Sequence, residues 1–275
     1  MKNKVEKVIE DFGNEWTSYS QEDISPEELR HSFDEYFSIV DFAALPEGCV
    51  AADVGCGSGR WAKLAAPLVG TLYCVEPSSA IEVARRNLAD ARNVRFINSD
   101  LESMPIDDAS LDFLYCLGVL HHVPDPQAGI LSCAAKLKPG GRMLAYLYYR
   151  FDFQPLWFRA LWRVSDLLRR LISRLPYGLK LVTTWLIAVL VYLPLARLSG
   201  VFERLGADVT HFPLSYYRRR SVYAMKTDAL DRFGTSLELR FTQPEIRAMF
   251  ERAGFESIEF SPGKPYWCVT GIKAG

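Results

Sequence analysis

Three acidic side chains and one glycine-rich segment are the residues whose types and spacing could support chemistry. Asp53 lies two residues before the segment 55–59, Glu76 ends a second apolar run, and Asp100 ends a third. Glycines between a strand and a helix let a ligand approach the backbone, where the helix N-terminus presents N–H groups without partners. A carboxylate at Glu76 can accept hydrogen bonds from both hydroxyls of a ribose. These residues predict a site for a ribose-containing ligand.

The spacing of the glycines narrows the class of ligand. It is G-x-G-x-G, whereas the dinucleotide fingerprint is G-x-G-x-x-G, so an NAD-dependent oxidoreductase is disfavoured. An ordinary tight turn is the alternative interpretation of the glycines, and a helix cap is the alternative for Asp100.

Two histidines follow the fourth strand-like run. A neutral imidazole titrates near working pH, so His121 or His122 could act as a general base. The alternative is that both belong to the framework of the loop and the start of the next helix. No cluster of cysteine, histidine and aspartate has the spacing of metal ligands, so no metal is expected.

Strand-like and helix-like segments alternate along the first half of the chain. Apolar strands are predicted at 49–54, 71–75, 94–97, 111–117 and 142–149, the last after a turn at 138–141. Helices are predicted at 58–68, 79–89 and 126–137. This alternation indicates a parallel sheet with helices on both faces.

The pattern resumes near the C-terminus. A helix is predicted over 242–253, with Thr242 as N-cap, Glu245 at the third helical position and Gly254 after its end. Two strands, 257–260 and 266–272, are joined by a link short enough to require an antiparallel hairpin.

Four segments of the chain resemble the motifs of a known family. DVGCGSG, CVEPS, NSDLESMPIDDASLDFLYCLGVLHHVPDP and LKPGGRMLAYLYY are similar to the successive motifs of class I S-adenosyl-L-methionine (SAM) methyltransferases. The nearest group is methyltransferase type 11, which includes quinone-ring C-methyltransferases. The resemblance covers 49–149 densely and the C-terminal hairpin loosely. It implies SAM as cofactor and a Rossmann-like α/β fold: a mostly parallel seven-stranded sheet, an antiparallel C-terminal hairpin and a helical insert after the fifth strand.

The resemblance also implies which positions surround the cofactor. From the methionine end to the adenine end they are Asp53, Gly55, Cys56, Gly57, Gly59, Gly118, Glu76, Pro77, Asp100 and Leu101. Asp53 would order the methionine end and Gly118 would border the sulfonium. Glu76 would hold the ribose hydroxyls, and Asp100 would accept from the adenine amino group with Leu101 beside the ring.

Aromatic residues are frequent near the N-terminus. They are Phe12, Trp16, Tyr19, Phe33, Tyr36 and Phe37. They resemble the aromatic cover of related enzymes, which places Trp16 against the cofactor. Ordinary packing of these rings on the core is the alternative. The predicted segments are a cover (1–45), a SAM-binding core (46–150), a helical insert (151–240) and a C-terminal helix with hairpin (241–275).

The insert differs from the rest of the chain in charge. Between 151 and 232 there are thirteen lysines and arginines and six acids, a net +7, against −8 elsewhere. Residues 156–172 have the period of a basic amphipathic helix. Residues 181–196 are uncharged. A helix that spans a membrane needs about 20 apolar residues, and Pro194 should shorten the helical part further. A membrane span is therefore disfavoured. A lid packed on the core, a lid that touches membrane or lipid, and a dimer interface stay open.

Aromatic and basic residues adjoin near the end of the insert. Tyr216, Arg218 and Arg219 are predicted to bind an anionic small substrate, because arginine grips carboxylate and phosphate at two points. Tyr217 is a further catalytic candidate. A solvated charged face is the alternative, and nucleic acid is disfavoured because the whole chain carries a net charge of only −1.

Composition limits the class of protein. The 275 residues are 49% hydrophobic and 24% charged, which is typical of a globular protein. The six cysteines form no CxxC pair and are interpreted as buried free thiols. The charged N-terminus is not typical of a signal peptide, so a cytoplasmic location is expected, and peripheral membrane contact through the insert stays open. Methyl transfer from SAM to an oxygen, nitrogen or carbon nucleophile of a small, amphiphilic or anionic molecule is the predicted function. A catalytically silent SAM-binding sensor or scaffold is the alternative.

Overall fold

A seven-stranded sheet forms the centre of the first of two structural units in the computed structural model, which describes residues 2–21, 23–263 and 267–275. The core unit comprises Met1–Glu22, Leu29–Arg150 and Leu237–Gly275. The insert unit comprises Asp23–Glu28 and Phe151–Ser236. The four segments predicted from the sequence stay a prediction, and the chain returns to the core unit at Leu237 rather than at 241.

The sheet has the seven strands and the mostly parallel arrangement that were predicted. Its strands are β1 (Val50–Val54), β2 (Thr71–Val75), β3 (Val94–Ile97), β4 (Leu111–Leu117), β5 (Leu137–Tyr146), β6 (Phe255–Phe260) and β7 (Cys268–Lys273). The order is β3-β2-β1-β4-β5-β7-β6. Pairings from β3 to β5 are parallel, whereas β7 is antiparallel to both β5 and β6. The mostly parallel sheet and the C-terminal hairpin are therefore confirmed, although Tyr266, the predicted start of the last strand, lies outside the described residues.

Ten α-helices accompany these strands in the described ranges. They are α1 (Lys2–Ser18), α2 (Pro26–Tyr36), α3 (Ala62–Ala65), α4 (Ala80–Asn87), α5 (Pro126–Lys136), α6 (Leu156–Ile172), α7 (Tyr177–Ile187), α8 (Leu193–Arg204), α9 (Val222–Gly234) and α10 (Gln243–Arg252). Thr242 and Glu245 form the predicted capping box at the start of α10. The helix predicted over 58–68 is shorter than expected, because residues before Ala62 form the glycine turn.

Strand β5 differs from its prediction at both ends. It begins at Leu137, within the predicted helix, and ends at Tyr146 rather than at 149. The predicted turn at 138–141 is instead an irregularity inside the strand, where the register against β4 shifts and Gly140 has a φ of +80°. The Nζ atom of Lys138 donates to Asp112 at 2.7 Å. Pairing with β4 thus extends the strand through residues that would form a turn by local preference.

The centre of the sheet is fully buried and apolar. Phe113, Leu114 and Tyr115 of β4 are 0% exposed. Helix α4 buries Ile81 and Val83, and α10 buries Ile246 and Phe250 at helical spacing. All six cysteines are buried with free thiols. This apolar centre holds the C-terminal ends of the strands in fixed positions.

Helix α6 of the insert unit buries polar residues and exposes apolar ones, the reverse of an ordinary surface helix. Its buried residues are Asp166 and Arg169, whose side chains form an ion pair at 2.8 Å. Arg169 also donates to the Thr235 carbonyl oxygen at 3.0 Å. Most large apolar side chains of α6 are exposed instead, among them Leu161 and Leu168. The polar side of this helix therefore packs inside its unit.

A single helix runs from Tyr177 to Arg204, through α7, a π-helical segment (Ala188–Tyr192) and α8. The prediction that Pro194 shortens the helical part is wrong. The π-helical segment changes the hydrogen-bond pattern directly before the proline, so the missing N–H is tolerated there. By length and composition alone, this 28-residue helix could cross a membrane.

Candidate functional site

The glycine-rich turn follows β1 and is held against the end of β2. The backbone N–H groups of Gly55 and Cys56 both donate to the Val75 carbonyl oxygen, at 2.8 and 3.1 Å. Gly55, Gly57 and Gly59 have φ values of +76°, +53° and +77°. This left-handed conformation favours glycine. The predicted turn is thus a constrained backbone loop at the C-terminal edge of the sheet.

Close neighbours also require glycine at these positions. A Cβ atom on Gly57 would lie 2.9 Å from Nε1 of Trp16, and one on Gly55 would collide with Val119. Trp16 therefore lies beside the glycine turn, and its predicted contact with the cofactor stays a prediction. The guanidinium of Arg60 lies 5.1 Å from the Trp16 ring. Helix α1 thereby brings an aromatic side chain to the edge of the candidate site.

Glu76 connects the end of β2 to the glycine turn. Its Oε2 accepts from the backbone N–H of Gly57 at 3.1 Å. Its Oε1 accepts from the N–H and the hydroxyl of Ser78, at 3.0 and 2.6 Å. The side chain is 6% exposed, and burial raises its pKa while the hydrogen bonds from Ser78 and Gly57 oppose that shift. The carboxylate is thus fixed in orientation: Ser78 uses both lone pairs of Oε1, and Oε2 retains one lone pair for a ligand hydroxyl.

Asp53, at the other side of the turn, is 1% exposed. Burial raises the pKa of its carboxyl to about 8. Within the described part of the chain, Asp53 Oδ2 and the nearby Ser58 Oγ are buried without a hydrogen-bond partner. Buried polar atoms of this kind are normally satisfied. These two atoms, with the glycine backbone and Glu76, fit the amino-acid and ribose groups of SAM.

The remaining cofactor candidates lie at the same edge of the core unit. Asp100 is exposed, and its Oδ1 accepts from the N–H groups of Glu102 and Ser103 at 3.1 and 2.7 Å. The side chain therefore caps a local turn through Oδ1, whereas the described residues form no helix there for it to cap. Its Oδ2 takes part in neither of these bonds. Leu101 is buried, and Pro77 is half-buried beside Glu76. Gly118 has a φ of +83° and open space where a Cβ would be.

His121 and His122 lie in a short 3-10 helix (Leu120–His122) after β4. The His121 ring stacks on Tyr148 with 3.7 Å between centroids, and burial holds the pKa of His121 well below its usual value. His121 is therefore a neutral imidazole. His122 Nδ1 donates to the Leu237 carbonyl oxygen at 2.6 Å, and its ring meets Phe12 of α1 edge-on at 4.9 Å.

The predicted substrate residues lie in the insert unit. Arg218 and Arg219 both bind the carboxylate of Glu203, at 2.8 and 3.1 Å. The hydrogen bond from Arg218, reinforced by Arg219, lowers the pKa of Glu203 to about 2. An anionic substrate would therefore compete with Glu203 for these guanidinium groups. Their role in substrate binding stays a prediction.

The two tyrosines beside these arginines pack within the insert unit. Tyr217 packs against Tyr192, with 5.3 Å between centroids, and burial raises the pKa of Tyr217. The hydroxyl of Tyr216 accepts from Arg220 at 3.0 Å. The catalytic candidates of the sequence thus divide between the units: both histidines belong to the core unit and Tyr217 to the insert unit.

Three side chains at the site were missed by the sequence analysis. Ser78 donates to Glu76, Tyr148 stacks on His121, and Arg60 lies over Trp16. Ser78 could have been found, because a hydroxyl two residues after a buried acid often bonds to it. The other two depend on contacts between distant parts of the chain. Among the residues that the structure describes, no three metal-ligating side chains converge.

Comparison with known proteins agrees with this geometry. The sequence profile of a family described as a methyltransferase domain matches residues 52–145. A ubiquinone biosynthesis O-methyltransferase of Coxiella burnetii is 36% identical over 107 residues, covering 35% of this chain and 46% of the relative. One of Vibrio vulnificus is 39% identical over 97 residues, covering 33% of this chain and 40% of the relative. The match thus spans less than half the length of these curated relatives.

Two solved structures share the fold across most of the chain. A protein of Bacillus halodurans C-125 assigned as a methyltransferase has a TM-score of 0.51 at 18% identity, covering 83% of this chain and 70% of that one. The methyltransferase in a complex with the Haloferax volcanii Trm112 activator has a TM-score of 0.52 at 14% identity, covering 97% and 99%. At these identities the likeness shows the fold alone. The profile match identifies residues 52–145 as a methyltransferase domain, which implies S-adenosylmethionine as the cofactor.

Proposed function

We propose that this protein transfers a methyl group from SAM to a nucleophile of a small molecule. The observation that carries the proposal is the buried carboxylate of Glu76, whose Oε2 accepts from the Gly57 N–H at 3.1 Å. This contact joins a ribose-binding acid to a glycine turn with G-x-G-x-G spacing. The arrangement suits a ligand with a ribose and a short polar tail, and it disfavours a dinucleotide.

Each group of the turn has a separate task in this proposal. Glu76 accepts from the ribose hydroxyls, and the buried Oδ2 of Asp53 orders the amino-acid end. Bound SAM supplies an electrophilic methyl group on a sulfonium. Trp16, beside Gly57, excludes water from the cofactor side of the turn. Positioning of this kind can lower a barrier by roughly 7–11 kcal/mol without any strong base.

We further propose that the atom that receives the methyl group is an oxygen. The matched relatives from Coxiella burnetii and Vibrio vulnificus are named O-methyltransferases of ubiquinone biosynthesis, which favours a hydroxyl on an amphiphilic molecule. A hydroxyl loses its proton as the new bond forms. His122 donates through Nδ1 to the Leu237 carbonyl oxygen, so in this proposal the other ring nitrogen, Nε2, accepts that proton.

The test separates binding from transfer and compares acceptor atoms. Isothermal titration with SAM and with NAD measures cofactor binding. Methyl-tritiated SAM is then incubated with an alkyl catechol, an alkyl amine and an alkyl 1,3-diketone of equal chain length. We expect binding of SAM but not NAD, and transfer to the catechol that decreases at least tenfold in His122→Gln.

Each outcome has a distinct meaning. Transfer to the amine or the diketone alone would contradict the oxygen acceptor while retaining the methyltransferase. Binding of SAM with no transfer to any of the three, or to a cell extract, would favour the silent sensor instead. Failure to bind SAM would contradict the whole proposal.

A further inference from the structure

Large apolar side chains are exposed on the insert unit. Among the described residues, all the exposed large apolar side chains except Leu68 and Leu131 lie between Leu156 and Leu205. We call those on α6, α7 and α8 the apolar surface. On α6 they are Leu156, Trp157, Leu161, Val164, Leu167, Leu168 and Leu171. Monomeric soluble proteins rarely expose so many apolar side chains in one region, so this surface indicates an interaction.

The exposed side of α6 is a regular stripe. Leu161, Val164 and Leu168 recur at spacings of three and four, so they share one face of the helix. The opposite face contains the buried pair Asp166–Arg169, which is anchored by the bond from Arg169 to Thr235. Because the polar side is used inside the unit, rotating the helix to hide its stripe would break a buried ion pair. The outward stripe is thus built into the fold.

The long helix of the unit also has one exposed and one buried side. Lys180, Thr184, Ala188, Tyr192 and Ala196 are buried at intervals of four residues. The Nζ atom of Lys180 donates to the Gly234 carbonyl oxygen of α9 at 3.0 Å. A helix crossing a bilayer in contact with lipid would place Lys180 and Thr184 in hydrocarbon, which is costly. The buried face instead favours a helix that lies along a bilayer surface, with Leu179, Trp185 and Leu190 outward.

Basic residues border the stripe of α6. Arg163 and Arg170 are seven residues apart, on one edge of the stripe, and Arg174 follows one turn later; all three are exposed. Arg170 pairs with Asp166 at 2.9 Å. In the ranges that the structure describes, Arg163 and Arg174 form no ion pair. Apolar stripes edged by arginine are typical of helices that lie in the interface of anionic membranes.

We propose that the apolar surface docks on an anionic lipid bilayer, with the α6 stripe in the acyl boundary and Arg163 and Arg174 at the headgroups. Charge complementarity selects this occupant, because residues 151–232 carry a net +7. A second copy of the same basic surface would face like charges, whereas anionic headgroups neutralise them. This docking is independent of the proposed methyl transfer, since it uses none of the residues of the SAM site.

The experiment measures sedimentation of the full-length protein with sucrose-loaded vesicles. The vesicles are phosphatidylcholine alone, or phosphatidylcholine with about one third phosphatidylglycerol. We expect binding to the anionic vesicles that weakens in high salt. The double variant Leu161→Asp/Leu168→Asp should bind at least about tenfold more weakly, because each leucine lost from the acyl boundary removes most of its burial energy.

Matched variants control for exposure and charge. Leu68→Asp/Leu131→Asp removes the two exposed leucines of the core unit and should bind as the wild type does. Arg163→Glu/Arg174→Glu should also weaken binding at least about tenfold. Arg86→Glu/Arg92→Glu makes the same change in net charge with exposed arginines of the core unit and should have little effect. Circular dichroism and SAM titration of each variant verify that the protein is folded.

Four experimental results would contradict docking on a bilayer or part of it. Equal vesicle binding by the Leu161/Leu168 and Leu68/Leu131 variants would overturn it, as would absence of vesicle binding by the wild type. Equal binding to neutral and anionic vesicles would overturn the role of the arginines. Analytical ultracentrifugation that shows a dimer, lost in Leu161→Asp/Leu168→Asp, without vesicle binding would assign the surface to a second copy.

Discussion

Glu76 accepts hydrogen bonds on both carboxylate oxygens, from Gly57 on one and from Ser78 on the other. We predict that Glu76→Gln weakens SAM binding by about 1.5–3 kcal/mol, the range for a hydrogen bond to a charged group. Isothermal titration measures the change. Glu47→Gln is the control, because that acid is exposed and precedes β1, at the end of the strand opposite the glycine turn. Unchanged affinity in a folded Glu76→Gln protein would contradict the ribose-binding role.

Asp53 makes the stability of the ligand-free protein depend on pH. Burial raises its pKa from 3.8 to about 8, so between these values the native state retains a proton that the unfolded chain releases. The free energy of unfolding therefore falls as pH rises through this window. Asparagine is neutral at every pH, so Asp53→Asn should abolish this decrease in the free energy of unfolding, which is on the order of a few kcal/mol. Urea unfolding of both proteins at pH 5 and pH 8 measures it; parallel pH dependences would show that Asp53 is not the group responsible.

At the scale of elements, helix α1 and the glycine turn fit together through Trp16 and Gly57. Gly57→Ala would place a Cβ 2.9 Å from the indole Nε1 in addition to the cost of a φ of +53°. Gly140→Ala is a matched control, because Gly140 has a φ of +80° and open space around it. We expect both to lose about 1 kcal/mol of stability from the backbone, and only Gly57→Ala to lose SAM affinity.

A double variant tests the contact between Trp16 and Gly57 directly. Trp16→Ala in the Gly57→Ala background removes the clash, so it should recover part of the stability lost by the single variant. Thermal unfolding with and without SAM measures both effects. Additive losses in the double variant would show that the two residues do not contact each other.

At the scale of the whole molecule, the two units carry opposite charge and different tasks. The residues proposed to hold SAM all belong to the core unit, whereas Tyr216, Arg218 and Arg219 belong to the insert unit. We predict that replacing residues 151–236 by a short Gly/Ser linker leaves the dissociation constant for SAM within about threefold and abolishes methyl transfer. Titration and the tritium assay measure the two properties. Full transfer activity in the shortened protein would show that the insert does not select the substrate.

Much of the core unit could be predicted from the sequence because its signals are local. Strands β2, β3 and β4 have the predicted bounds, and the capping box at Thr242 is present. Hydrophobic periodicity and turn chemistry depend on a few neighbouring residues, which the sequence displays directly. The glycine turn and Glu76 were found for the same reason, since each ends a recognisable strand.

Other features depended on contacts between residues far apart in the chain. Pairing with β4 extends β5 to Leu137, and a π-helical segment carries a helix past Pro194. The stacking of His121 on Tyr148 joins two strand ends.

The amphipathic pattern of α6 could be read from the sequence, but not which side of the helix is buried. Only the tertiary structure shows Asp166 and Arg169 inside and the leucines outside. A period of 3.6 residues defines two faces, and the partners that satisfy the polar one, here the ion pair and the Thr235 carbonyl, come from the folded unit. The sequence by itself therefore determined the glycine turn and the strands around it, whereas packing decided which surfaces of the insert face outward.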